Sequence, residues 1–191
     1  IEDADQVQQV KEITGEIEFR NLTFSFDETT VLKQINLRIP AGSTLAIVGR
    51  VGSGKTVLSR LIPRLIQAEP GMVLIDGVPV EEIPLQTLRS AIGYVPQDTF
   101  LFSDSIRENV AFGVTDATDV AVHEALEVSQ LESDLDDLPD GLETVVGERG
   151  VTLSGGQKQR TALARAVIRK PDILILDDAL ASVDTHTEEA I

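Results

Sequence analysis

Apolar side chains recur along this chain with two different periods, and the places where the period changes mark out its architecture. In GEIEFRNLTFSF (15–26), and again in VLKQINLRIP (31–40) after the turn-forming DETT, apolar and polar residues alternate. That alternation predicts two antiparallel strands with one face toward water. Four other segments, TLAIVG (44–49), MVLIDG (72–77), IGYVPQ (92–97) and DILILDD (172–178), are short and almost continuously apolar. They predict strands covered on both faces, as in an α/β sheet. TVLSRLIPRLIQ (56–67) carries apolar residues at helical spacing, with a kink expected at Pro63. From about Asp104 to Ala166 the strand signal gives way to a period near 3.6, clearest in DVAVHEALEVSQLESDL, and predicts an inserted helical region. The acidic run ESDLDDLPD (132–140) within it reads as a solvated face or loop.

Composition narrows what such a chain does. Its 191 residues, 42% of them hydrophobic, suffice for one sizeable core. With 32 acidic against 16 basic residues the net charge is −16, which excludes a broad electrostatic attraction to nucleic acid or anionic lipid. Any phosphate has to be held locally. Cysteine is absent, so there is no disulfide framework, in keeping with a reducing compartment. No apolar run is long enough to span a bilayer, and no signal-peptide pattern is read. The chain opens at Ile1 and stops at Ile191 inside a polar stretch, and the expectation is a piece of a longer polypeptide.

GRVGSGKT (49–56) supplies the local phosphate site. It lies between the predicted strand TLAIV and a predicted helix, the setting a phosphate-binding loop requires. Gly49, Gly52 and Gly54 let backbone N–H groups curl around phosphate oxygens, with Ser53 between them. Lys55 is placed for the β and γ phosphates, Thr56 for a hydroxyl on Mg²⁺, and the helix start adds positive potential. The apolar strand DILILDD ends in Asp177, a candidate for the Mg²⁺ shell, directly or through water. In LSGGQKQR (153–160), Ser154 is a candidate N-cap for the helix QKQRTALARAVIRK, which Pro171 stops, and the two following glycines permit close approach to a ligand.

With these motifs on one chain, the sequence from about Gly15 to its last residue resembles the ATP-binding cassette ATPases. The resemblance implies an α/β fold: a P-loop NTPase core with an N-terminal antiparallel β-subdomain (1–97 and 166–191) and an inserted helical subdomain (98–165). GRVGSGKT looks like the family's phosphate loop, LSGGQ its signature, ILILDD its magnesium strand and ASVD its loop that communicates across a dimer. Gln97 is similar to the glutamine that joins the metal site to the helical subdomain, with a role in both metal binding and catalysis. Phe26 falls where an aromatic ring stacks on adenine. FLFSDSIRENVAFG and VGERG look like the exporter branch, whose corresponding segments face coupling helices of a membrane domain. The implied cofactors are ATP and Mg²⁺, and the implied location is the cytoplasmic face of a membrane. Two such domains sandwich two nucleotides, so Ser154, Gly155, Gly156 and Gln157 are expected to serve the nucleotide on the opposite domain.

Two departures qualify the resemblance. The family's switch histidine is expected about thirty residues past the magnesium strand, beyond Ile191; His123 and His186 read as surface residues. The acid after the magnesium aspartate is usually glutamate, and here it is Asp178. One methylene fewer withdraws the carboxylate by about 1.5 Å, where a misplacement of about 1 Å costs about a hundredfold in rate. The expectation is a weakened catalytic site in one half of an asymmetric heterodimer, with ATP binding intact. The alternatives are a working aspartate base in a homodimer, a non-hydrolysing nucleotide-gated clamp, and a soluble cassette ATPase acting on DNA or ribosomes, which the acidic surface disfavours.

Overall fold

The computed structural model describes residues 1–3, 10, 12–147 and 151–191, and the chain divides into two compact units, residues 1–92 and 93–191. The alternating segments form the long hairpin that their period predicts. β1 (Ile17–Phe26) and β2 (Thr29–Ile39) pair antiparallel, joined by a two-residue turn at Asp27 and Glu28. Thr29 and Thr30 thus belong to the strand rather than to the turn. Ile17, Phe19 and Leu22 are buried on the β1 face that builds the core.

MVLIDG lands elsewhere than expected. β3 (Val73–Ile75) pairs antiparallel with β1, and a tight turn returns it into β4 (Val78–Pro79), giving a four-stranded antiparallel sheet ordered β2-β1-β3-β4. The turn is Asp76–Gly77, both in the left-handed region (φ 52° and 79°), the backbone that a two-residue type I′ hairpin demands. Asp76 also anchors the approach to β1. Its carboxylate accepts from the N–H groups of Thr14 (2.6 Å), Glu16 (2.9 Å) and Gly15 (3.4 Å) and from the Thr14 hydroxyl (2.5 Å). Partial burial pushes this carboxyl's pKa up, but those hydrogen bonds outweigh it and hold it below the usual carboxylate value.

TLAIVG is the chief correction. Residues 44–49 form no strand, and Leu45, Ile47 and Val48 are exposed. A strand that buries both faces exists only with neighbours on either side, and no strand among the described residues pairs with it. The helix after it is shorter than its periodicity. α1 (Lys55–Leu61) ends before Pro63, which terminates it instead of kinking it, because Pro63 has no N–H to continue the ladder. α2 (Leu85–Ser90) follows in the same unit.

β5 (Ile92–Val95), which lies in the second unit from Gly93 onward, pairs with β6 (Ile173–Leu176). Gly93 on β5 is there for space: a Cβ would sit 2.8 Å from Pro171 Cγ and 3.0 Å from the Ala166 carbonyl. The helical region comprises α3 (Ile106–Ala111), α4 (Asp119–Val128) and α5 (Gly155–Val167). Ile106, Val110, Val122, Leu126, Leu153 and Ala164 make its core. The acidic run is more than a solvated face. It forms a 3-10 helix over Glu132–Asp137 whose Asp134 is partly buried and grips Arg160 of α5 bidentately at 2.9 and 2.8 Å. α6 (Thr185–Ala190) is capped by Asp184, which accepts from Thr187 N at 3.0 Å.

Candidate functional site

The first unit holds the glycine-rich loop. Gly52 and Gly54 adopt φ of 82° and 91°, which side-chain-bearing residues rarely enter. Gly54 is the N-cap of α1 and contributes no side-chain cap. A Cβ on it would also lie 2.8 Å from Leu32 Cδ2 of β2, a side-chain end that would have to shift, so the backbone conformation is what requires glycine there. A Cβ on Gly49 would meet Ser53 Oγ at 2.7 Å. Lys55 Nζ donates to the carbonyls of Gly49 (2.8 Å) and Arg50 (3.2 Å). Its ammonium is thus folded back over the loop, on carbonyls that a phosphate can replace as acceptors. Phe26, at the end of β1, is about half exposed (49%) and meets Phe24 edge to face at 5.0 Å. An exposed ring at the hairpin tip is available for stacking in a way a core phenylalanine is not.

The second unit brings the acidic strand end together with Gln97. Asp177, only 8% exposed, closes β6, where its N–H donates to Val95 O at 3.0 Å and its Oδ2 accepts from the Tyr94 hydroxyl at 3.1 Å. Asp178 beside it is exposed, in the left-handed region at φ 54°. Gln97 Nε2 lies 3.4 Å from Asp178 Oδ2. The buried Asp177 carboxylate is a hard oxygen donor of the kind that suits Mg²⁺, an ion that keeps several waters and needs few protein ligands; the Thr56 hydroxyl, in the first unit, is another such donor. No group of three or more His, Cys, Asp and Glu side chains able to hold a metal ion occurs among the described residues.

Ser154 caps α5 as its sequence predicts, and more completely. Its Oγ accepts from Gln157 N (3.2 Å) while Gln157 Oε1 accepts from Ser154 N (3.0 Å), a capping box. Gln157 Nε2 donates onward to Asp134 Oδ2 at 2.9 Å. The two glycines approach a protein segment: a Cβ on Gly156 would lie 2.9 Å from the Ser182 carbonyl, and one on Gly155 3.2 Å from Ser182 Cβ. Gln159 Oε1 accepts from Ser182 N at 2.8 Å. The LSGGQ helix start and the ASVD loop are therefore locked within one chain.

Sequence reasoning missed one buried and one partly buried polar group. Asn109, fully buried on α3, donates to the carbonyls of Phe102 and Ser105 and accepts from Phe102 N. Arg165 on α5 donates to Asn109 O (2.7 Å), Asn109 Oδ1 (2.8 Å) and Phe100 O (2.8 Å), and stacks under Phe102 and Phe112. Burial lowers its pKa from the usual arginine value. An arginine set among the apolar residues of TALARAV was the available signal. Together these groups hold out Phe100 (66% exposed) and Phe112 (53% exposed) as an aromatic surface. The Glu148, Arg149 and Gly150 of VGERG lie outside the described residues. His123 and His186 are at the surface as read, His123 Nδ1 lying 2.8 Å from Glu132 Oε1.

Comparison with known proteins agrees with this geometry. The ABC transporter family profile matches residues 32–181. The chain is 44% identical over its whole length to an uncharacterized ABC transporter ATP-binding protein, YwjA, of Bacillus subtilis, and covers 33% of that protein. It is 46% identical, again over its whole length and 33% of the relative, to a probable multidrug resistance ABC transporter ATP-binding/permease protein, YheI, of the same organism. The mitochondrial iron-sulfur clusters transporter ATM1 of Debaryomyces hansenii is 44% identical over 94% of this chain and 26% of that protein. A solved bacterial Atm1-family ABC exporter with ATP bound superposes with a TM-score of 0.92 at 38% identity, over 99% of this chain and 34% of the other. The chain spans about a quarter to a third of the length of these relatives. No helix among the described residues is long and apolar enough to cross a membrane. The chain belongs to the ABC transporter family, as the nucleotide-binding domain of an exporter-type member.

Proposed function

We propose that this domain binds Mg·ATP and, paired with a second nucleotide-binding domain, hydrolyses it to power export of a substrate through a membrane domain. The observation that carries the reading is the glycine-rich loop: a helix opened by a left-handed Gly54 without a side-chain cap, under a lysine whose ammonium rests on loop carbonyls. Gly49, Gly52, Ser53 and Gly54 enclose the phosphates, Lys55 neutralises the β and γ oxygens, and Phe26 stacks on the base. Thr56 in the first unit and Asp177 and Gln97 in the second are the residues that would hold Mg²⁺, which would supply positive charge to the phosphate oxygens. Asp178 orients the attacking water from a retracted position, since its carboxylate is one methylene short and already drawn to Gln97.

The domain's own site is thereby slow, while Ser154, Gly155, Gly156 and Gln157 complete a faster site on its partner. The pair is an asymmetric heterodimer. The ordered capping box and the ASVD contact support a competent signature despite the shortened acid. In this reading the aromatic surface of Phe100, Phe102 and Phe112 takes the membrane domain's coupling helices and the domain works at the cytoplasmic face; the net charge of −16 argues against nucleic acid as a partner.

Photolabelling of the full-length polypeptide with an azido-ATP tests the nucleotide site. Lys55→Ala is expected to weaken labelling about tenfold or more, the loss of a charge-assisted contact. Unchanged labelling would place the nucleotide elsewhere.

A further inference from the structure

We propose that Asp134 is a positioning residue for the start of the LSGGQ helix, acting through Gln157; this rests on Ser154 and Gln157 completing the partner's nucleotide site. Within the acidic run, Glu132, Asp136, Asp137 and Asp140 are exposed, while the Asp134 side chain is 19% exposed. A run that served for solvation alone would turn every carboxylate outward. Asp134 instead faces α5, where Gln157 Nε2 donates to its Oδ2 at 2.9 Å across 23 residues of sequence. Its two oxygens also take Arg160 Nη1 and Nη2, at 2.9 and 2.8 Å, and Arg160 Nη1 donates to Gln130 O as well.

The contact decides which way round the Gln157 amide sits. The capping box needs the amide oxygen on Ser154 N, where it accepts at 3.0 Å, and an amide turned over would bring its NH₂ against that N–H. A carboxylate accepts and cannot donate. Asp134 therefore takes the NH₂ end and leaves the oxygen for the cap, so an acid on the 3-10 helix sets the cap of α5. Gln157→Glu would keep the box but set a second carboxylate against Asp134. Arg160, its side chain 12% exposed, supplies the positive charge that a carboxylate drawn out of water needs, and its two-point grip fixes the direction of Asp134. The contacts run from Arg160 through Asp134 and Gln157 to Ser154, and the last two are the polar side chains of the LSGGQ segment.

Reversing the polarity of the contact tests this, with Gln157→Glu, Asp134→Asn and the two together in the full-length transporter. Gln157→Glu opposes two carboxylates, and Asp134→Asn leaves one oxygen for three donors. Together they restore a donor facing an acceptor and keep the charge that the parent pair sets beside Arg160. Each single change is expected to speed exchange of the Ser154 and Gln157 amides about tenfold and to lower kcat for ATP about tenfold or more, while the Leu126 amide of α4 keeps its protection. The double variant should return both readouts to within about threefold of the parent. Singles that leave the Ser154 and Gln157 amides unchanged, or a double that combines the losses of the singles, would overturn the proposal. So would Leu126 exchange that accelerates as much as that of Ser154, since Asp134 would then hold the helical region generally. If exchange behaves as expected and is restored in the double while ATPase stays constant in all three variants, the reading of LSGGQ fails, and the inference with it.

Discussion

Gln97 and Asp178, 81 residues apart in sequence, meet at the end of β6 with Nε2 and Oδ2 separated by 3.4 Å. The contact is long and both residues are exposed, so it biases the carboxylate's direction more than it contributes stability. Because the two act through one contact, their substitutions are expected to be non-additive. Gln97→Ala and Asp178→Asn should each change steady-state ATPase of the full-length transporter by less than about threefold, under about 1 kcal/mol of barrier. The double mutant should fall no further than the worse single. A multiplicative loss would mean that the two residues serve separate steps.

The LSGGQ glycines are predicted to differ. Gly156→Ala drives a Cβ to 2.9 Å from the Ser182 backbone carbonyl, whereas Gly155→Ala meets only the Ser182 side chain at 3.2 Å. Backbone yields less than a side chain, so Gly156→Ala should cost about 1–3 kcal/mol and Gly155→Ala less. Amide exchange at the start of α5 and in the ASVD loop of the full-length protein reads the difference: faster exchange in both segments for Gly156→Ala, little change for Gly155→Ala. Equal protection in the two variants would contradict it.

Asp76 gives a pH signature. Its folded-state pKa lies below the unfolded value of about 3.9, so its contribution is fully present above that value and is lost as pH falls through the folded one. Asp76→Asn should speed exchange of the Thr14, Gly15 and Glu16 amides at neutral pH, by the loss of roughly 2 kcal/mol of charge-assisted hydrogen bonding. The gap between variant and parent should narrow only below about pH 4. A gap that already closes near pH 6 would assign the latch to another group.

The parts of this molecule that were legible in sequence are the local ones. The Ser154 capping box, the phosphate-loop glycines and the alternating hairpin depend on residues within a few positions of one another. The exposure of TLAIV was not legible, because an apolar run states what a strand needs and not whether neighbours supply it. MVLIDG was assigned to the wrong sheet although Asp76–Gly77 between apolar residues is a hairpin signal available from sequence. Arg165 on Phe100 and Asn109, Asp134 on Arg160, and Tyr94 on Asp177 span 65 and 56, 26, and 83 residues. Only a fold brings them together.

The asymmetry between the acid and the signature is tested most directly by steady-state ATPase of Asp178→Asn and Ser154→Arg in the intact transporter. On the proposed reading Asp178 serves the domain's own slow site, so Asp178→Asn should cost less than about threefold. Ser154 sits in a capping box at the start of α5 and, on the proposed reading, serves the partner's site. Ser154→Arg breaks that box and places a bulky cation at the helix start, and activity should nearly vanish. Large and equal losses in both variants would contradict the account and make Asp178 a working base in a symmetric pair.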